Sequence, residues 1–169
     1  MGLWQCNEAL RPKGVKATPG RCVNSGWMRC RRIAYSNAHI PYGFAFSEKC
    51  FGNDGSYKQM EVGKGLTCAT FIIALFHSFA LPIVRLESWI ARPEDAEWQK
   101  TILRILEQRA SKEHIAAATA YIGQFRYRAE EVAAAATSPT PPLDYNECTG
   151  LAAAILATIR AAGGTAAAH

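Results

Sequence analysis

The chain has 169 residues, 49% of them apolar and 20% charged, with a net charge of +5. That length suits one domain, or one domain with a tail, and that apolar share supplies a core and excludes wholesale disorder. The charge is uneven: residues 1–32 hold seven Lys or Arg against the single acid Glu8, while the remainder is close to neutral.

Residues 1–32 are rich in Gly, Pro, Lys, Arg and Asn and have no hydrophobic period, which predicts a basic, irregular N-terminal arm. Such an arm can meet nucleic acid or an anionic membrane surface. No helix-turn-helix, zinc-finger or ribonucleoprotein pattern accompanies it, so nucleic-acid binding is not expected. Asn7, Glu8 and Arg11 interrupt any early apolar region, which argues against a secretory leader and for a cytoplasmic location with reduced thiols. Cys6, Cys22, Cys30, Cys50, Cys68 and Cys148 contain no C-x₂-C pair, the spacing of zinc ribbons and redox motifs.

Residues 33–137 are predicted as a single α+β domain. Arg32–Tyr35 and Tyr42–Phe46 have the apolar content of short strands. Asn53-Asp54-Gly55 is a turn, and Ser56–Val62 can pair back as another strand.

The densest apolar run spans Gly63–Val84. Its apolar residues lie all round a helical wheel, the mark of a buried helix, and a central helix is expected from about Leu66 to Ala80. Gly63 and Gly65 permit a tight backbone approach, and Pro82 ends the helix. Cys68 falls in the first turn, where unpaired N–H groups and the positive end of the helix dipole stabilise a thiolate. That chemistry turns a thiol into a nucleophile; the competing reading is a small buried residue that only packs. Leu66–Val84 is also 19 residues long without a formal charge, the minimum for a single membrane span. His77, Ser78 and Pro82 inside it favour a core helix followed by a strand.

Ile83–Leu86 has strand character. A helix starts at Pro93, with proline in its first turn and Glu94 and Asp95 at the positive dipole end. Trp98, Ile102, Ile105 and Leu106 form its apolar face. Ser111 caps a helix over Lys112–Ile122 that Gly123 ends, and Tyr127–Thr137 is a further helix with Glu130 and Glu131 near its start. Arg126 and Arg128 flank Tyr127 as an exposed approach to that helix or as an anion contact. Residues 138–169 read as a Pro-rich linker and a C-terminal helix, Leu151–Ala162, stopped by Gly163-Gly164. The fold class is therefore α+β: short N-terminal strands, a central buried helix opening at Cys68, and a helical C-terminal half. No phosphate-loop, dinucleotide, serine-elbow or zinc-protease motif occurs, and neither cofactor nor metal is expected.

Gly65-Leu66-Thr67-Cys68-Ala69-Thr70-Phe71 resembles the nucleophile motif of NlpC/P60-type papain-like cysteine hydrolases. Pro41-Tyr42-Gly43-Phe44 is similar to the aromatic stretch that precedes the cysteine in circularly permuted members. The resemblance covers about Ile40 to Ala80. It implies Cys68 as nucleophile and, because permuted members carry the histidine before the cysteine, His39 as base. Asn53 and Asp54 are candidates for an orienting group. The implied substrate is a peptide, another amide or an acyl ester. The alternative is a truncated or inactive relative, a noncatalytic helical domain that binds a partner.

Overall fold

The computed structural model describes residues 22–36 and 39–166. Six α-helices follow in order: α1 (Cys22–Tyr35), α2 (Cys68–His77), α3 (Pro93–Leu106), α4 (Lys112–Thr119), α5 (Ala129–Thr137) and α6 (Tyr145–Ala166). The helix-rich architecture and the helical C-terminal half match expectation.

The expected sheet does not form among the described residues. In its place stand three isolated bridges: Ala45 with Lys64, Phe51 with Tyr57, and Val84 with Leu143. Arg32–Tyr35 is the end of α1 rather than a strand, and α1 crosses the anticipated boundary between residues 32 and 33. Its arginines are structural partners of the Asn53 turn. Arg29 donates to Asn53 Oδ1 at 2.8 Å, and Arg32 to the Asn53 carbonyl at 3.1 Å. The rest of the expected basic arm, residues 1–21, lies outside the described residues.

Helix α2 is the centre of the molecule. Ala69 and Ile73 belong to one buried cluster with Trp89, Tyr127, Val132, Leu143 and Cys148. Ala74, with Leu66 just before the helix, belongs to a second cluster with Ile33, Cys50, Phe51 and Tyr57. Its two faces serve two cores, which is why the sequence is apolar all round. The helix ends at His77, three residues before the predicted limit and before Pro82 can act. Ala80 takes the left-handed conformation at φ 57°. Its N–H donates to His77 O at 2.9 Å, and Leu81 N–H to Phe76 O at 3.2 Å, a Schellman stop with alanine where glycine is usual. At 10 residues α2 falls well short of a bilayer span, and no described helix is long and apolar enough to cross a membrane.

The anticipated boundary between residues 137 and 138 is not a packing boundary. Leu143 and Cys148 are core residues, and Leu143 exchanges backbone hydrogen bonds with Ile83 and Arg85. Helix α6 begins six residues earlier than predicted. Asp144 and Glu147 each accept the other's N–H, at 2.9 and 2.8 Å, forming a capping box in which aspartate takes the place of Ser or Thr. The helix then runs through Gly163 and Gly164. Helix α4 stops at Thr119 and α5 starts at Ala129, each short of its predicted range.

The buried face of α3 is not the apolar one. Asp95, Gln99 and Leu103 are the buried residues, whereas Ile105 is 60% exposed. Gln99 accounts for part of this choice: its amide donates to Gln124 O at 3.0 Å and accepts from Gly123 N–H at 2.8 Å, holding the turn after α4.

Candidate functional site

The site is built on the start of α2. Residues 41–46 lie against 63–66 so closely that a side chain on Gly65 would collide with the Pro41 carbonyl. Gly65 N–H donates to Ala45 O at 3.0 Å and Leu66 N–H to Pro41 O at 2.9 Å. Thr67 then caps the helix. Its hydroxyl accepts from Thr70 N–H at 3.2 Å, and Thr70 Oγ1 accepts from Thr67 N–H at 2.7 Å. The N–H groups of Cys68 and Ala69 have no acceptor inside the helix. No acidic residue occupies this first turn, so the positive end of the dipole is not neutralised locally.

Cys68 is the first residue of α2 and is exposed. The other free cysteines of the described residues differ from it. Cys50 and Cys148 are buried, and burial pushes both thiols up to about 11. Burial also raises Cys30, against a smaller opposing effect of its own backbone hydrogen bond. Cys68 lines a cleft of about 310 Å³ together with Tyr42, Trp98, Arg126, Arg128 and the start of α5. Burial raises the Tyr42 phenol, the nearby Cys68 adds to the rise, and Arg126 opposes it. Arg126 stacks over Trp98 at 4.1 Å from the ring centre.

Among the described residues, the walls of this cleft carry no histidine. His39 is exposed and lies outside them; the residues just before it, 37–38, fall outside the described part. His114 is tied up structurally. Its Nδ1 accepts from Gly63 N–H at 3.2 Å, so Nε2 carries the proton and donates to the Tyr42 carbonyl at 2.8 Å. Asn53 is engaged by Arg29, and Asp54 accepts from Ser56 Oγ at 2.7 Å. No described group of His, Cys, Asp and Glu is arranged to hold a metal ion.

Beside the cleft, α3 and α5 are locked by a charge network that the sequence does not reveal. Arg92, the cap residue of α3, donates from two nitrogens to Glu131 in the first turn of α5, at 2.7 and 3.0 Å. Arg128, the cap residue of α5, donates to Glu94 in the first turn of α3. Arg126 donates to the fully buried Asp95 at 2.9 Å. Asp95 and Glu131 also accept the backbone N–H of their own cap residues, each at 3.0 Å. Three arginines thus face three carboxylates. For Arg92, burial opposes the charge, but the bonds and charges of Glu131 and Asp95 outweigh it and hold its pKa above the usual value. The acids at these helix starts were legible as dipole partners; the only sequence signal of the cross-pairing was the two arginines flanking Tyr127.

Comparison with protein-family models, with curated proteins and with solved structures found no match.

Proposed function

We propose that this chain is a thiol-dependent hydrolase of the NlpC/P60-like, papain-like kind, cleaving an amide, peptide or acyl ester bond through Cys68 with His39 as base. The observation that carries the reading is the exposed Cys68 thiol, placed at the start of a helix buried on both sides and opening into a cleft. In the reaction, His39 takes the thiol proton, and Sγ attacks the carbonyl carbon. The C–N or C–O bond breaks as the leaving group takes that proton, and water releases the acid from the thioester and restores the thiol. The free N–H groups at the start of α2 suit the oxyanion. A reducing, cytoplasmic setting belongs to the same reading.

A second reading, a noncatalytic helical domain that binds a partner, is favoured by the absence of histidine from the cleft walls among the described residues. Turnover of p-nitrophenyl acetate and of a fluorogenic peptide library separates the two. Hydrolysis by the parent protein, lost in Cys68→Ser and reduced at least about a hundredfold in His39→Ala, supports the first reading. Hydrolysis unaffected by His39→Ala removes that residue from the mechanism. No turnover, or turnover that survives Cys68→Ser, favours the second.

A further inference from the structure

A second cavity, of about 450 Å³, adjoins the Cys68 cleft and shares Thr67, Arg126 and Tyr127 with it. Its walls are aromatic. Tyr127 lies at the centre, with Phe46, Trp89 and Phe125 at ring-centre distances of 5.7, 4.6 and 5.7 Å. Two carboxylates, Glu48 and Glu87, complete the wall. Burial raises the Tyr127 phenol, and the charges of Glu48 and Glu87 add to the rise.

The charges of this cavity do not balance within it. Among the described residues Arg126 is its one wall cation, and that charge is committed to Asp95 at 2.9 Å and to the Trp98 face. Glu48 and Glu87 have no ion-pair partner among the described residues. Electron-rich rings and unpaired carboxylates both attract a cation, and an apolar stem packs against the aromatic wall. Trp89 is 5% exposed and packs into the wall with its indole N–H buried, without an acceptor among the described residues.

We infer that this cavity binds the side chain of a lysine or arginine within a peptide, the ammonium or guanidinium held between the aromatic rings and Glu48 and Glu87. The inference stands without the hydrolase reading, because it concerns binding only. If that reading also holds, the pocket selects basic peptide substrates for Cys68.

The test titrates intact ¹⁵N-labelled protein at pH 7 and follows the Trp89 indole cross-peak, assigned by its loss in Trp89→Phe. The probes are N-acetyl-lysine methylamide, its uncharged isostere N-acetyl-norleucine methylamide, and n-butylammonium. The expected result is a shift with the lysine probe and affinity about tenfold weaker for norleucine, a cation–π and charge effect of ordinary size. The Glu48→Gln/Glu87→Gln double variant, with circular dichroism unchanged, should lose that preference. Norleucine binding as tightly as lysine, or no response to lysine, overturns the proposal, and this comparison on the parent protein needs no variant. Equal binding by n-butylammonium overturns the peptide assignment. Failure of turnover with lysine binding intact counts against the hydrolase alone.

Discussion

Helix α2 begins differently from α3 and α5. The first turns of α3 and α5 hold Glu94 and Asp95, and Glu130 and Glu131, and each cap arginine crosses to an acid of the other helix. Their positive ends are neutralised, with Asp95 and Glu131 buried. Helix α2 begins with two threonines that satisfy each other, no acid, and an exposed thiol. The same dipole that holds two helices together at one site is left at the other to act on a group arriving from solvent. The chemistry of the first turn, more than the helix itself, separates a structural joint from a candidate reactive centre.

The largest effect should come from breaking the joint. Glu131→Ala leaves Arg92 buried without its partner, and a loss of about 3–5 kcal/mol is expected in urea unfolding. Replacing both with apolar residues, Arg92→Met with Glu131→Leu, should recover much of that loss. A double variant as unstable as the single one would mean that the network contributes more than charge compensation. The start of α2 should be less sensitive. Thr67→Ala removes one half of the reciprocal cap and should cost about 1 kcal/mol.

The other end of α2 runs in the opposite direction. Ala80→Gly relieves a left-handed alanine and should stabilise the fold by up to about 1 kcal/mol in the same measurement. A loss instead would mean that the Ala80 methyl packs more usefully than its backbone is strained. Thiol labelling sharpens the contrast without changing stability: iodoacetamide should modify Cys68 in the folded protein, while Cys50 and Cys148 react only after unfolding. Mass spectrometry of the labelled peptides reads this directly.

The smallest effect is acid dependence. The backbone N–H of Glu94 first, and Arg128 second, lower its pKa below the ordinary 4.5. A lowered folded pKa gives a contribution fully present above 4.5 and lost as pH falls through the lower folded value. Glu94→Gln should therefore be slightly less stable than the parent at pH 7 and equal to it near pH 2. A gap that persists at low pH would point to packing.

Much of the local structure was legible because its causes lie within about four residues of one another. Gly63 and Gly65 marked the approach to α2, Pro93 the start of α3 and Ser111 that of α4. The misses have particular reasons. Helix α1 has an amphipathic spacing, Val23, Trp27, Cys30 and Ala34, but it was hidden among arginines and an irregular preceding stretch, and the capping box at Asp144 lay directly after the Pro-rich stretch and was read as part of a linker. Gly163-Gly164 looked like a stop, yet α6 continues through it. Tyr42–Phe46 and Ser56–Val62 carried strand-like residues but found only single bridging partners.

By itself, the sequence determined that a buried helix would open at Cys68, because glycine-permitted approach and all-round apolar character are local properties. It could not determine what stands opposite that thiol. Tyr42, Trp98 and Arg126 come from three separate segments. Arg92 meets Glu131 across 39 residues, and Arg126 meets Asp95 across 31. Helix dipoles and caps act within one turn, whereas the partner of a buried charge is decided by which segments the two cores bring together.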